Sequence, residues 1–259
     1  MTTTYLSYRM AAADVPASIN RVSKDPPVAR EIAYWQDHID KVADIESFVA
    51  DKRLFAFAMK AFGLSDMGYA KAFMTKLLKE GLAAPTAMAN KLSDQRYRDF
   101  ARTFDFNTYG TVTTSLSAAR TGVVDRYLRQ TLEEKTGAQS EGARLALYFQ
   151  RKAASIVSPM SILADAALLK VAKVALDLPD AMSLAPIDNQ VAMIKARLDV
   201  SIFKDPAKVE NFLKRFCVMN DLANRAAGSS SPAVMLAQAS GAGFSVDTLM
   251  ALAKLRAGG

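Results

Sequence analysis

Two stretches of the chain read as copies of one another, and this repeat limits the fold more than any other feature. VADKRLFAFAMKAFGLSD, from Val49, aligns with LADAALLKVAKVALDLPD, from Leu163. The alignment pairs Asp51 with Asp165, Leu54 with Leu168, Ala58 with Ala172, Ala61 with Ala175, Leu64 with Leu178 and Asp66 with Asp180. Downstream, AFMTKLLK from Ala72 pairs with AMIKARLD from Ala192, and DQRYRDFARTF from Asp94 with DPAKVENFLKRF from Asp205, which has one extra residue. Each unit reads as an Asp-opened helix, a middle helix and a second Asp-opened helix ending on a large apolar residue. Units this small cannot bury their apolar faces alone, so two of them must share one core.

The spacing assigns the four aspartates a structural task. Asp51, Asp94, Asp165 and Asp205 each precede a helical run that closes about three turns later on Phe62, Phe104, Leu176 and Phe216. An N-cap aspartate satisfies orphan amide donors and meets the positive helix end, while the distal apolar residue anchors the other end in the core. Capping therefore accounts for these residues before catalysis or divalent-ion binding is needed.

Start and stop signals extend the helical reading along the chain. Asp25-Pro26-Pro27 opens a helix whose Val28, Ile32, Trp35, Ile39 and Val42 form one stripe. Helices are also expected over 51–62, closed by Gly63, and over 66–80, closed by Gly81. Residues 111–157 read as two longer helices parting near Gly137 and linking the repeats at 49–106 and 163–219. The expectation is an all-α, multihelical single domain over 25–224 with an internal duplication of a three-helix unit. Residues 1–24 are expected to form a flexible N-terminal segment, and 225–259 a mobile C-terminal extension carrying a short helix over 245–256.

Composition narrows the function. The chain of 259 residues carries one histidine, His38, and one cysteine, Cys217. Internal disulfides and thiolate zinc clusters need more than that, and most general bases, most zinc and iron sites and any Ser-His or Cys-His nucleophile would have to rely on this single imidazole. No Walker loop, GxGxxG turn, CxxC pair, HExxH helix or GxSxG elbow occurs. Asp105 to Gly110 imitates the opening of a calcium loop, but its twelfth position is Leu116, which has no carboxylate to offer. His38 reads as a boundary residue, Trp35 and Cys217 as core, and Met59, Met74 and Met193 as core filler. No catalytic residue, cofactor or metal site is expected.

The net charge of +7 invites a nucleic-acid reading. The densest basic region, from Arg120 to Lys152, is however interleaved with Asp125, Glu133, Glu134 and Glu141 at spacings that suit intrahelical pairs, which disfavours it. No apolar run is long enough to span a membrane, and the N-terminus lacks the apolar core of a Sec signal peptide.

VAREIAYWQDHIDKV from Val28, VDRYLRQTLEEKTG from Val124, EGARLALYFQRKA from Glu141 and the repeat blocks together resemble the bacterial domain-of-unknown-function family 1217, over about residues 5 to 222. The resemblance implies an all-helical duplicated fold in proteins of alphaproteobacteria, often encoded among flagellar genes. It supplies no catalytic residue, substrate or cofactor. It leads to the expectation of a non-enzymatic structural, assembly or export-associated protein of the bacterial flagellar system, cytoplasmic or exported to the flagellum, with an unidentified protein partner, flagellar or otherwise. The alternatives are a helical enzyme with a carboxylate/arginine site between the repeats and a nucleic-acid-binding protein.

Overall fold

Asp51 and Asp165 each open a helix in the same way. Asp51 Oδ1 accepts hydrogen bonds from the Arg53 and Leu54 amides at 2.9 and 3.0 Å, and Asp165 Oδ1 from those of Ala167 and Leu168 at 2.9 and 3.1 Å. Asp94 accepts from the Arg96 amide at 2.9 Å, and Asp205 from that of Ala207 at 2.9 Å. In the computed structural model, which describes residues 3–229, these caps start four of a succession of helices. In chain order they are α1 (Thr4–Ala12), α2 (Val15–Ser23), α3 (Pro26–His38), α4 (Ile45–Ala50), α5 (Lys52–Ala61), α6 (Lys71–Glu80), α7 (Met88–Lys91), α8 (Gln95–Thr103), α9 (Phe106–Tyr109), α10 (Thr121–Gln139), α11 (Glu141–Lys152), α12 (Pro159–Leu163), α13 (Ala166–Leu176), α14 (Ile187–Lys195) and α15 (Pro206–Ser229). Short 3-10 turns join several of them, and no strand occurs among the described residues.

One continuous apolar core runs from Tyr8 on α1 to Cys217 on α15. Its first half is aromatic. Trp35 stacks on Phe57 with ring centroids 4.8 Å apart, and Phe48 lies 4.6 Å from Phe104. Its second half centres on Phe149, Phe203 and Phe212. α10 packs on both α5 and α11, with Tyr127 stacked on Phe57 at 3.9 Å. Aligned apolar positions of the repeat are buried in both copies: Leu54 and Leu168, Ala58 and Ala172, Ala61 and Ala175, Leu64 and Leu178, Phe104 and Phe216. Met74 and Ile194 are likewise both fully buried.

The element order recurs beyond those blocks. One shift in numbering carries Tyr34 onto Tyr148, Asp51 onto Asp165 and the 3-10 turn Ile39–Lys41 onto Ala153–Ser155. α11 therefore occupies, in order, the place that α3 has in the first half, and the segment expected to be a linker supplies core residues Leu145, Leu147 and Phe149.

Several boundaries differ from the sequence expectations. Residues 4–23, expected to be flexible, form α1 and α2, capped by Thr3 and Asp14. α2 turns Ser18 and Val22 inward, and the inward face of α1 consists of Thr4, Ser7, Tyr8 and Ala11, which is too polar to register as an apolar stripe, yet Tyr8 is wholly buried. Its hydroxyl donates to Glu210 of α15 at 2.8 Å. The helix expected over 66–80 is split: a 3-10 turn at Ser65–Met67 precedes α6, and Gly68 and Ala70 lie in the joint. Gly63 and Gly81 take the left-handed region (φ 69° and 61°), where glycine is free of Cβ strain. α10 continues through Gly137, where a Cβ would come within 2.7 Å of the Arg144 side chain, and breaks at Ser140 instead. The extension expected to begin at 225 starts inside α15, which runs to Ser229; the short helix expected over 245–256 lies outside the described residues.

Some charges of the 120–152 region pair within a helix, as Arg129 with Glu133 and Arg144 with Glu141. Others tie elements together: Arg120 to Asp40, Lys135 to Asp25, and Arg151 to Glu133. No described helix is long and apolar enough to cross a membrane.

Candidate functional site

A cleft of about 860 Å³ opens where the start of α8 faces α11, α12 and α13, with α10 contributing Arg126 and Gln130. It brings together two of the four capping aspartates, Asp94 and Asp165. Asp51 and Asp205 lie elsewhere.

Each wall is built from local rules. On the α8 side, the Asp94 carboxylate caps its helix and also grips the Arg96 guanidinium, at 3.0 Å to Nε and 2.7 Å to Nη2. Arg96 Nη1 donates to the carbonyl of Gly63, at the left-handed end of α5. Burial alone would push the Asp94 pKa up, but the hydrogen bonds and charge of Arg96 outweigh it and hold the carboxyl below its ordinary value. The same partner raises the Arg96 pKa. Both groups stay ionised.

On the opposite wall, Tyr148 of α11 donates its hydroxyl to Asp165 Oδ2 at 2.5 Å, while Asp165 Oδ1 holds the first turn of α13. Burial, then the Asp165 charge and hydrogen bond, push the Tyr148 phenol far above its ordinary pKa, so it remains protonated. Beneath it, Arg151 clasps Glu133 through Nε at 2.7 Å and Nη2 at 2.8 Å. Glu133 is 1% exposed, and Arg129 approaches the same carboxylate at 3.4 Å. This bidentate pair fixes α11 against α10 and holds Arg151 within 5.0 Å of the Tyr148 ring centroid.

The cleft thus contains engaged and free cations. Arg96, Arg144 and Arg151 each have a carboxylate partner. Arg126, whose guanidinium lies 4.9 Å from the Phe62 ring centroid, and Lys152 have no ion-pair partner among the described residues. A general acid needs a raised carboxyl pKa and a nucleophile an activating base; Asp94 shifts the opposite way and Tyr148 is held neutral. The arrangement is suited to recognising a ligand.

In the first half the corresponding pair, Tyr34 and Asp51, is joined at 2.8 Å and does not line this cleft. Arg53 covers the Tyr34 ring at 3.7 Å and pairs with Glu31, and the His38 ring stacks on Tyr34 with centroids 3.9 Å apart. The segment resembling a calcium-loop opening is a turn in which Asp105 caps Phe106–Tyr109. Sequence reasoning found Asp94 and Asp165 as caps and carried a carboxylate/arginine site between the repeats as an alternative, but did not single out the cleft's residues, because Arg96, Arg126, Tyr148 and Lys152 come from three helices with no shared local motif. The one local signal was the tyrosine seventeen positions before each capping aspartate, at Tyr34 and Tyr148.

These features define a class first: an all-α, multihelical protein with a charged cleft between its helices. The chain belongs to the family described as protein of unknown function (DUF1217), which it matches over residues 61–209. It is also similar to the crystal structure of a protein from Agrobacterium tumefaciens, with 45% identity and a TM-score of 0.78, covering 85% of this chain and 94% of that one. A search of the curated proteins gave no match.

Proposed function

We propose that this protein is a non-enzymatic structural, assembly or export-associated component of the bacterial flagellar system, acting by binding a protein partner either in the cytoplasm or after export to the flagellum. The observation that carries the non-enzymatic part is the engagement of the cleft side chains. Asp94 and Asp165 direct their carboxylate oxygens to helix amides, Arg96 and Tyr148, and Arg151 is committed to buried Glu133. What remains for a ligand is the unpaired positive charge of Arg126 and Lys152 among mixed polar and apolar surface, a means of holding rather than of transforming. The flagellar part follows from the family resemblance. Deleting the gene should abolish or impair swimming while leaving growth normal.

The same cleft is the specific observation in favour of a second reading, a helical enzyme with a carboxylate/arginine site between the repeats. Under that reading the double variant D94N/D165N would lose function far in excess of its loss of stability. Under ours the two losses run in parallel.

A further inference from the structure

We infer that the cleft between α8 and α11–α13 is a docking groove for an acidic polypeptide segment of a partner protein, read by Arg126 and Lys152. The inference rests on the recognition reading above but not on the flagellar placement. Four observations point to this occupant. The space of about 860 Å³, bounded by residues of α8, α10, α11, α12 and α13, is large enough to admit side chains of a peptide, within the range of roughly 300–1,000 Å³ typical of ligand pockets.

The charges favour carboxylates over phosphate. A phosphate site commonly adds backbone amides at a helix N-terminus to its Arg and Lys side chains. Of the three helix starts that reach this cleft, α8 is filled by Asp94 and α13 by Asp165, while α12 is a five-residue helix that opens on Pro159, which has no amide hydrogen to donate. A dianionic group placed there would meet those two aspartates, whereas singly charged carboxylates spaced along a peptide can reach the long side chains of Arg126 and Lys152 and avoid them. Arg126 lies across the Phe62 ring, so the cation is positioned without being neutralised.

The remaining surface suits a peptide as well. Of the apolar residues that line the cleft, Phe62, Ile156 and Leu168 are buried and Met160 is 47% exposed. Val157, next in the chain to the lining residues Ile156 and Ser158, is 77% exposed. Exposed apolar side chains together with two unpaired cations complement a segment that carries both acidic and apolar residues.

Fluorescence anisotropy on the full chain tests the inference, with a short fluorescein-labelled peptide of alternating glutamate and leucine as probe. The unaltered chain should bind it saturably, and R126E/K152E should weaken binding by at least about tenfold, the effect of losing charge-assisted contacts. R126Q/K152Q, which removes charge without reversing it, should weaken binding in the same direction, and melting curves of both variants should show the fold intact. R30E/K41E makes the same charge change outside the cleft and should change affinity by less than about twofold. Absence of binding, equal weakening by R30E/K41E, or displacement of the probe by inorganic phosphate at matching concentration would each overturn the assignment. Normal swimming in a deletion strain would instead defeat the flagellar reading and leave the binding result standing.

Discussion

At the scale of single residues, the capping aspartates of α5 and α13 do two jobs at once. Asp51 and Asp165 each take amides of the first helical turn on one carboxylate oxygen and a tyrosine hydroxyl on the other. Replacing either by alanine should destabilise the fold by about 1 kcal/mol through the lost cap, with a further contribution from the orphaned tyrosine that is larger at half-buried Tyr148. Chemical denaturation of D51A and D165A against the unaltered chain measures this, and an unchanged midpoint in both would refute the capping account. Titration provides a second test. Burial raises the carboxyl pKa of Asp94 and Asp51, but hydrogen bonds override it in each and the net shift is downward from 3.8. A lowered pKa in the folded state gives stability that is complete above the unfolded value and lost as pH falls through the folded one. Melting temperature should therefore decline below about pH 4, and D94N should show a shallower decline than the unaltered chain. Equal acid slopes would mean that Asp94 gains nothing from Arg96.

At the scale of elements, the capping signals were legible because they are local. An aspartate before an apolar helical run, and a glycine after one, put α5, α8 and α13 within a residue or two of where they lie. α1 was not legible, since a helix whose buried face is Thr, Ser, Ala and one Tyr shows no hydrophobic stripe. It is held by distant polar contacts, Thr4 with Asp221 and Tyr8 with Glu210, besides the burial of Tyr8 and Ala11, whereas α2 packs Ile19 and Val22 on the core. The joint between α10 and α11 rests on a pair of the same kind. Arg151→Ala would leave the Glu133 carboxylate buried with only Arg129 nearby, and should cost about 3–5 kcal/mol. Glu133→Gln keeps a hydrogen-bond acceptor for Arg151, so it should cost appreciably less. Thermal or urea unfolding of the two variants measures the difference. If both cost the same small amount, the pair does not secure α10 to α11.

At the scale of the molecule, the sequence repeat announced two similar units but not what lies between them. The aligned blocks began at Val49, yet the correspondence in element order reaches back to α3 and α11, because outside the blocks it is kept by Tyr34 and Tyr148 and by helix lengths more than by residue identity. If the repeat is a duplication, α3–α6 superpose on α11–α14 in the same order and crossing directions; a different order would remove the duplication. The residues of the cleft were not legible for a related reason, although a carboxylate/arginine site between the repeats was an alternative: the cleft forms where the start of α8 meets α11–α13, a contact that no local pattern encodes. The account as a whole stands on the cleft serving a flagellar partner. Swimming of a deletion strain, complemented with either the unaltered gene or the R126E/K152E form, tests this most directly. The account predicts that the deletion strain grows normally but swims poorly, that the unaltered gene restores spreading in soft agar, and that the cleft variant, present at equal level, does not; full motility of the deletion strain would contradict it.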